Sequence, residues 1–142
     1  MKEYVSVDVE TTGLAPKQDK IIEIGAVRVR DGQIVESFTS FVNPGRILPA
    51  YITELTGILQ EQVDEAETME SVLPAFLEFA GDLPLMGHRI LFDYGFLKRA
   101  AVNMRLDFER SGVDTLKLSR QFLSELPSRR LSALCEHFEI PI

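Results

Sequence analysis

The chain has 142 residues, 45% hydrophobic and 26% charged, with 15 Lys and Arg against 22 Asp and Glu and a formal charge of −7. That length is one domain whose core needs no disulfide or structural metal, and the composition excludes wholesale disorder. An acidic chain lacks the clustered Lys and Arg that bind nucleic acid by bulk electrostatics, although bound cations reverse the sign of a local site.

Residues 4–10 alternate, with Val5, Val7 and Val9 on one face and Ser6, Asp8 and Glu10 on the other, which is the period of a half-buried strand. Thr11-Thr12-Gly13-Leu14-Ala15-Pro16 breaks it. Ile21–Arg30 is β-branched and apolar and reads as a second strand. Asp31-Gly32 is a two-residue hairpin signal, so residues 34–42 form a third, antiparallel strand that Asn43-Pro44-Gly45 ends. Residues 52–57 suit a short helix stopped by glycine. Residues 70–80 place Val72, Leu73, Phe76, Leu77 and Ala80 on one helical stripe, and Gly81-Asp82 stops it. Residues 83–87 are a short apolar strand. The helix predicted over 91–104 carries Leu91, Tyr94, Leu97, Lys98 and Ala101 at helical spacing. Val113 belongs to a brief last strand, Asp114 caps a helix over 115–123, and 131–138 form a final helix. A hairpin-linked trio followed by strand–helix alternation implies an α/β fold with a mixed sheet and helices packed on it.

The single cysteine, Cys135, excludes an internal disulfide and fits a reducing compartment. No apolar run approaches the roughly 20 residues that span a bilayer. Residues 1–8 lack the apolar core of a signal peptide. The expectation is a cytoplasmic protein with no membrane partner.

Asp8 and Glu10 are the sharpest chemical signal. Two carboxylates two apart on one strand face repel unless a cation sits between them, and hard oxygen ligands suit Mg²⁺ or Mn²⁺. A bare pair of this kind also fits a solvated strand face, but this one ends a valine-rich strand and runs into Thr11-Thr12-Gly13. Asp93 follows the apolar strand and lies near the start of the next helix, where it suits either stabilisation of the helix dipole or a ligand site at the carboxyl ends of strands. If the first and fourth strands are neighbours, the three carboxylates converge.

Asp8-Val9-Glu10-Thr11-Thr12-Gly13-Leu14 resembles the first motif of DEDD-type 3′–5′ exonucleases, and Gly87-His88-Arg89-Ile90-Leu91-Phe92-Asp93-Tyr94-Gly95-Phe96-Leu97 resembles the second. The match continues through Ile21-Ile22-Glu23-Ile24-Gly25-Ala26-Val27, Ile52-Thr53-Glu54-Leu55-Thr56-Gly57-Ile58 and Asp114-Thr115-Leu116. It is similar above all to the DnaQ-like branch: proofreading epsilon subunits and the exonuclease domain of Gram-positive replicative polymerases. The resemblance implies a ribonuclease H-like fold with a five-stranded mixed sheet and two divalent ions, Mg²⁺ or Mn²⁺. It also implies that Asp8, Glu10 and Asp93 are the metal-binding carboxylates. Two ions about 4 Å apart lower the pKa of an attacking water and stabilise the leaving 3′-oxygen.

The same resemblance gives Thr11, Thr12, Gly13 and Leu14 to the terminal nucleotide, with polar grip from the threonines and an apolar wedge from leucine. It makes Thr56, Gly57 and Ile58 a wall for the terminal base and gives His88 a structural or substrate-side hydrogen bond. Phe92 and Phe96 suit either base stacking or the core of their helix. Glu23 reads equally as structural or functional, with the Thr12 hydroxyl as its possible partner. Arg89 stands where the family usually has asparagine. Arg129-Arg130 reads as a solvated pair and His137 as an ordinary helix residue.

The family's third motif, a general-base histidine followed five residues later by a fourth carboxylate, does not occur before Ile142. The chain is therefore expected to be a single exonuclease domain over residues 1–142, truncated at its C-terminal end and nearly inactive alone. The complete protein is expected to hydrolyse single-stranded 3′ ends, of DNA in particular, to nucleoside 5′-monophosphates, in association with a DNA polymerase subunit. The alternative is a non-catalytic nucleic-acid-binding or scaffolding module with an incomplete site.

Overall fold

The computed structural model describes residues 2–110 and the backbone of the strand at 112–114. The expected helices over 115–123 and 131–138, with Cys135, His137 and Arg129-Arg130, lie outside the described residues, as does the capping role of Asp114. The chain runs through β1 (Glu3–Thr11), β2 (Ile21–Arg30), β3 (Gln33–Phe41), α1 (Ala50–Thr56), α2 (Gln60–Asp64), α3 (Met69–Ala80), β4 (Leu85–Gly87), α4 (Ile90–Asn103) and β5 (Gly112–Asp114). The five strands form one sheet in the order β3-β2-β1-β4-β5. β1 pairs antiparallel with β2 and parallel with β4, and β4 pairs parallel with β5, so the sheet is mixed.

Valine alternation makes β1 the central strand: Val5, Val7 and Val9 are buried under the helices. They join Ile24 and Ala26 of β2, Leu73 and Phe76 of α3, and Leu97 and Ala101 of α4 in the main core. A second, smaller core holds Ile22, Leu48, Ile52, Ile58 and Val63. Asp31 and Gly32 both have positive φ (50° and 79°), the conformation that a type I′ hairpin turn demands. α1 ends where Gly57 turns left-handed at φ 78° and donates its N–H to Thr53 O. Among the described residues, no helix is long and apolar enough to cross a membrane.

Two local expectations need correction. Of the residues at helical spacing in α4, Leu97 and Ala101 are buried, but Leu91, Tyr94 and Lys98 are not part of the buried face. Leu91 is 67% exposed, and the residues turned inward are Ile90, Asp93, Phe96, Leu97 and Ala101. A carboxylate occupies a position where apolar periodicity places a hydrophobic residue. Helix α2 was not anticipated; it is five residues long and buries only Val63, too little to show a helical period.

Candidate active site

The site is built at the carboxyl end of β1. Asp8 lies opposite Gly25 of β2, and Glu10 lies opposite Glu23. Directly paired residues share a face, so Asp8, Glu10 and Glu23 stand together, and the absent side chain at Gly25 leaves room beside Asp8. β4 is shorter than β1 and its ladder reaches only Ser6 and Met86, which leaves the edge of β1 beyond Val7 open toward α4. Asp93, in the first turn of α4 and 4% exposed, fills that edge, and its Oδ2 accepts the Val9 N–H at 3.3 Å.

Gly87 makes the approach possible. A Cβ there would lie 2.9 Å from Val7 O and 2.9 Å from Ile90 Cδ1. Arg89 sets the direction in which α4 leaves: it is left-handed at φ 59° and ψ 51°. Asn adopts that conformation more readily than most residues, which gives a physical reason for the family's usual asparagine here.

The carboxylates oppose one another's ionisation. Burial, then the charge of Asp8, push Asp93 up to about 7; Glu10 adds to this, while the Val9 N–H and Arg89 pull the other way. Loss of hydration, then the charges of Asp8 and Glu23 and a hydrogen bond with Asp8, raise Glu10 to about 7. Asp8 and Glu23 are raised as well, each chiefly by loss of hydration. A divalent cation would relieve all of these together. The donor set is entirely carboxylate oxygen, the chemistry Mg²⁺ and Mn²⁺ prefer. Among the described residues, no three His, Cys, Asp or Glu side chains form a ready-made metal cage. The donor chemistry suits divalent ions, while the side chains as placed do not gather three ligands around one point.

The remaining expected site residues divide sharply. Leu14 projects into solvent, 83% exposed, from the loop that follows the carboxylates. Both threonine hydroxyls are already engaged within the protein. Thr11 Oγ1 donates to Gly13 O at 2.6 Å. Thr12 Oγ1 donates to Asp19 Oδ1 at 3.2 Å and accepts the Lys20 N–H at 3.0 Å. The expected Thr12–Glu23 partnership is therefore replaced by Thr12–Asp19.

Thr56 likewise serves its own helix, with its hydroxyl donating to Ile52 O at 2.7 Å and accepting the Ile58 N–H at 3.1 Å. Ile58 is a buried member of the second core, and its side chain is not on offer to a base. Of the two phenylalanines, whose ring centroids are 5.1 Å apart, Phe96 is a core residue closed to stacking and Phe92 is half-buried against that core. His88 sits half-buried in the turn before α4.

Two residues, Asp19 and Tyr51, join the site region that motif reasoning did not place there, and Glu23, left open between a structural and a functional role, stands beside Glu10. Glu23 required knowledge of strand register. Asp19, inside the loop, and Tyr51, whose hydroxyl donates to Thr12 O at 3.4 Å, carry no signal beyond being polar or aromatic near a turn.

The family model of RNase T-type exonucleases matches residues 5–142. The chain is 43% identical over 140 residues to the PolC-type DNA polymerase III of Clostridium perfringens (strain 13 / Type A), covering 99% of this chain and 10% of that protein. It thus spans about one-tenth of the length of the curated relatives it matches. Among solved structures, product-bound exonuclease I superposes with a TM-score of 0.85 at 18% identity, covering 99% of this chain and 39% of that one, a likeness of fold. Exonuclease X in complex with 5′ overhanging duplex DNA superposes with a TM-score of 0.76 at 25% identity, covering 98% and 75% respectively. Fold, motif order and the family match agree: the chain belongs to the RNase T-type exonuclease family, as a DnaQ-like member of the DEDD group.

Proposed function

We propose that this domain is a proofreading-type 3′–5′ exonuclease that removes nucleoside 5′-monophosphates from single-stranded ends, of DNA in particular, as part of a DNA polymerase. The observation that carries this is the hydrogen bond from Val9 N–H to Asp93, which fastens the carboxylate of α4 to β1 at the residue that separates Asp8 from Glu10 in sequence and within reach of their charges. Asp8, Glu10 and Asp93 would hold two Mg²⁺ or Mn²⁺ ions. Such ions activate water and stabilise a leaving oxygen.

The chain's own residues position that site and its substrate. Val9 N–H fixes the Asp93 carboxylate, and Gly25 keeps space open beside Asp8. Leu14 offers apolar surface to a terminal base. With the threonine hydroxyls engaged internally, the contribution of residues 11–14 is the apolar one of Leu14. A DNA substrate is supported by the exonuclease X complex, and a polymerase partner by the PolC-type relatives.

The test combines Mn²⁺ calorimetry with mononucleotide release from a 3′-labelled single strand. We expect Mn²⁺ binding that Asp8→Ala and Asp93→Asn abolish, and slow, metal-dependent release. Hydrolysis that survives Asp8→Ala overturns the assignment. Strand binding indifferent to Mn²⁺, with no release, marks a non-catalytic module instead.

A further inference from the structure

Asp19 belongs to neither exonuclease motif, yet the loop between β1 and β2 is built around it. The neck of the loop closes where Thr12 N–H donates to Lys20 O at 2.8 Å and Lys20 N–H donates to Thr12 Oγ1 at 3.0 Å. Inside that neck the Asp19 carboxylate turns inward. Its Oδ1 accepts the Thr12 hydroxyl at 3.2 Å and its Oδ2 accepts the Ala15 N–H at 3.0 Å. Gly13 is pressed against the same carboxylate, where a Cβ would lie 2.6 Å from Asp19 Cγ. One side chain thus fastens residues 12, 13 and 15. The residue left between these anchors is Leu14, whose side chain stands 83% exposed.

We propose that Asp19 is a positioning residue for the substrate grip: its carboxylate holds the loop so that Leu14 is presented rigidly to the terminal nucleotide. This rests on the exonuclease assignment above. A free nine-residue loop bearing one leucine would have to order itself on each binding event, and that ordering cost subtracts from affinity. The Asp19 clamp removes it in advance. The carboxylate is specifically required, because it must accept from two donors at once. Asparagine keeps one acceptor for Thr12 and sets an NH₂ against the Ala15 N–H.

The experiment uses the whole chain with Mn²⁺ and a fluorescein-labelled single strand of DNA whose 3′-terminal linkage is phosphorothioate. Asp19→Asn and Leu14→Ala should each weaken binding about tenfold, the size expected from losing one charge-assisted hydrogen bond or one apolar contact. The decisive reading is the double variant. If Asp19 acts through Leu14, adding Asp19→Asn to Leu14→Ala costs nothing further. Mn²⁺ affinity by calorimetry should stay unchanged in Asp19→Asn, which separates positioning of the loop from damage to the carboxylate site.

A full second loss in the double variant, or unchanged strand binding in Asp19→Asn while Leu14→Ala is impaired, overturns the proposal and leaves the exonuclease assignment standing. A Leu14→Ala chain that binds like the unmodified one overturns the assignment of this loop to substrate, and the proposal with it. Should Asp19→Asn fail to fold, Thr12→Val takes its place. It is nearly isosteric, removes the hydroxyl that donates to Asp19, and should show the same dependence on Leu14.

Discussion

Asp93 concentrates the conflict between folding and chemistry in this molecule. It is 4% exposed, accepts one backbone N–H, and faces two further carboxylates. In the unfolded chain these acids ionise near their ordinary values of 3.8 and 4.5, whereas in the metal-free folded protein Asp93 and Glu10 keep their protons up to about 7. Between those limits the unfolded state releases protons that the folded state retains. Stability is therefore full below the ordinary values, falls as pH rises toward 7, and levels off above it. The melting temperature of the metal-free chain should follow that course in thermal scans. Asp93→Asn keeps an acceptor for Val9 N–H and removes the charge, so it should flatten the profile and melt higher than the unmodified chain at pH 8 while losing Mn²⁺ binding. A steeper profile in the variant would contradict the charge conflict. Arg89 acts in the opposite sense, since its charge helps Asp93 ionise. Arg89→Asn suits the left-handed backbone and should leave the fold intact while raising the Asp93 pKa further, which carboxyl NMR titration would detect.

At the level of elements, the site depends on how closely α4 approaches β1. Gly87→Ala places a Cβ 2.9 Å from the Val7 carbonyl, a backbone atom that cannot give way. Overpacking of this kind costs about 1–3 kcal/mol. It should also move α4 away from Val9 and weaken Mn²⁺ binding. Gly32→Ala is the control. Gly32 has φ 79° and open space around it, so the substitution should cost about 1 kcal/mol through backbone strain and leave ion affinity unchanged. If both variants lose stability and neither loses Mn²⁺, the packing of Gly87 does not position Asp93.

The same elements explain what could be read in advance. Strands β1 and β2 were legible because Val5, Val7 and Val9 alternate cleanly and Ile21–Arg30 is rich in β-branched residues. Asp31-Gly32 named its own turn. The second half of the inward face of α4, Leu97 and Ala101, was legible, but its first turn was not, because Asp93 interrupts the apolar repeat: a buried carboxylate looks like a surface residue to any hydrophobic period. The partnership of Glu10 with Glu23 depends on strand register, which shifts at a bulge between Glu10 and Thr11. Asp19 was hidden because its role is to satisfy hydroxyl and amide donors inside a loop, and a polar loop contains such residues whether or not they are clamped.

For the molecule as a whole, the formal charge of −7 constrains how nucleic acid is held. A protein that neutralises phosphates with lysines and arginines releases counterions, and its affinity for a single strand falls with salt by about 0.7 logarithmic units per contact for each tenfold rise. Here the loop beside the carboxylates presents Leu14, and the acids themselves repel phosphate until a cation intervenes. Affinity should therefore come from bound divalent ions and apolar contact. At fixed Mn²⁺, anisotropy titrations across monovalent salt should give a slope shallower than about 2, corresponding to no more than a few phosphate contacts. Chelation should abolish binding at every salt concentration, because the uncompensated carboxylates then face the strand directly. A steep slope combined with binding that survives chelation would place the strand on a basic surface away from Asp8, Glu10 and Asp93, and would break the link between the carboxylate cluster and the substrate.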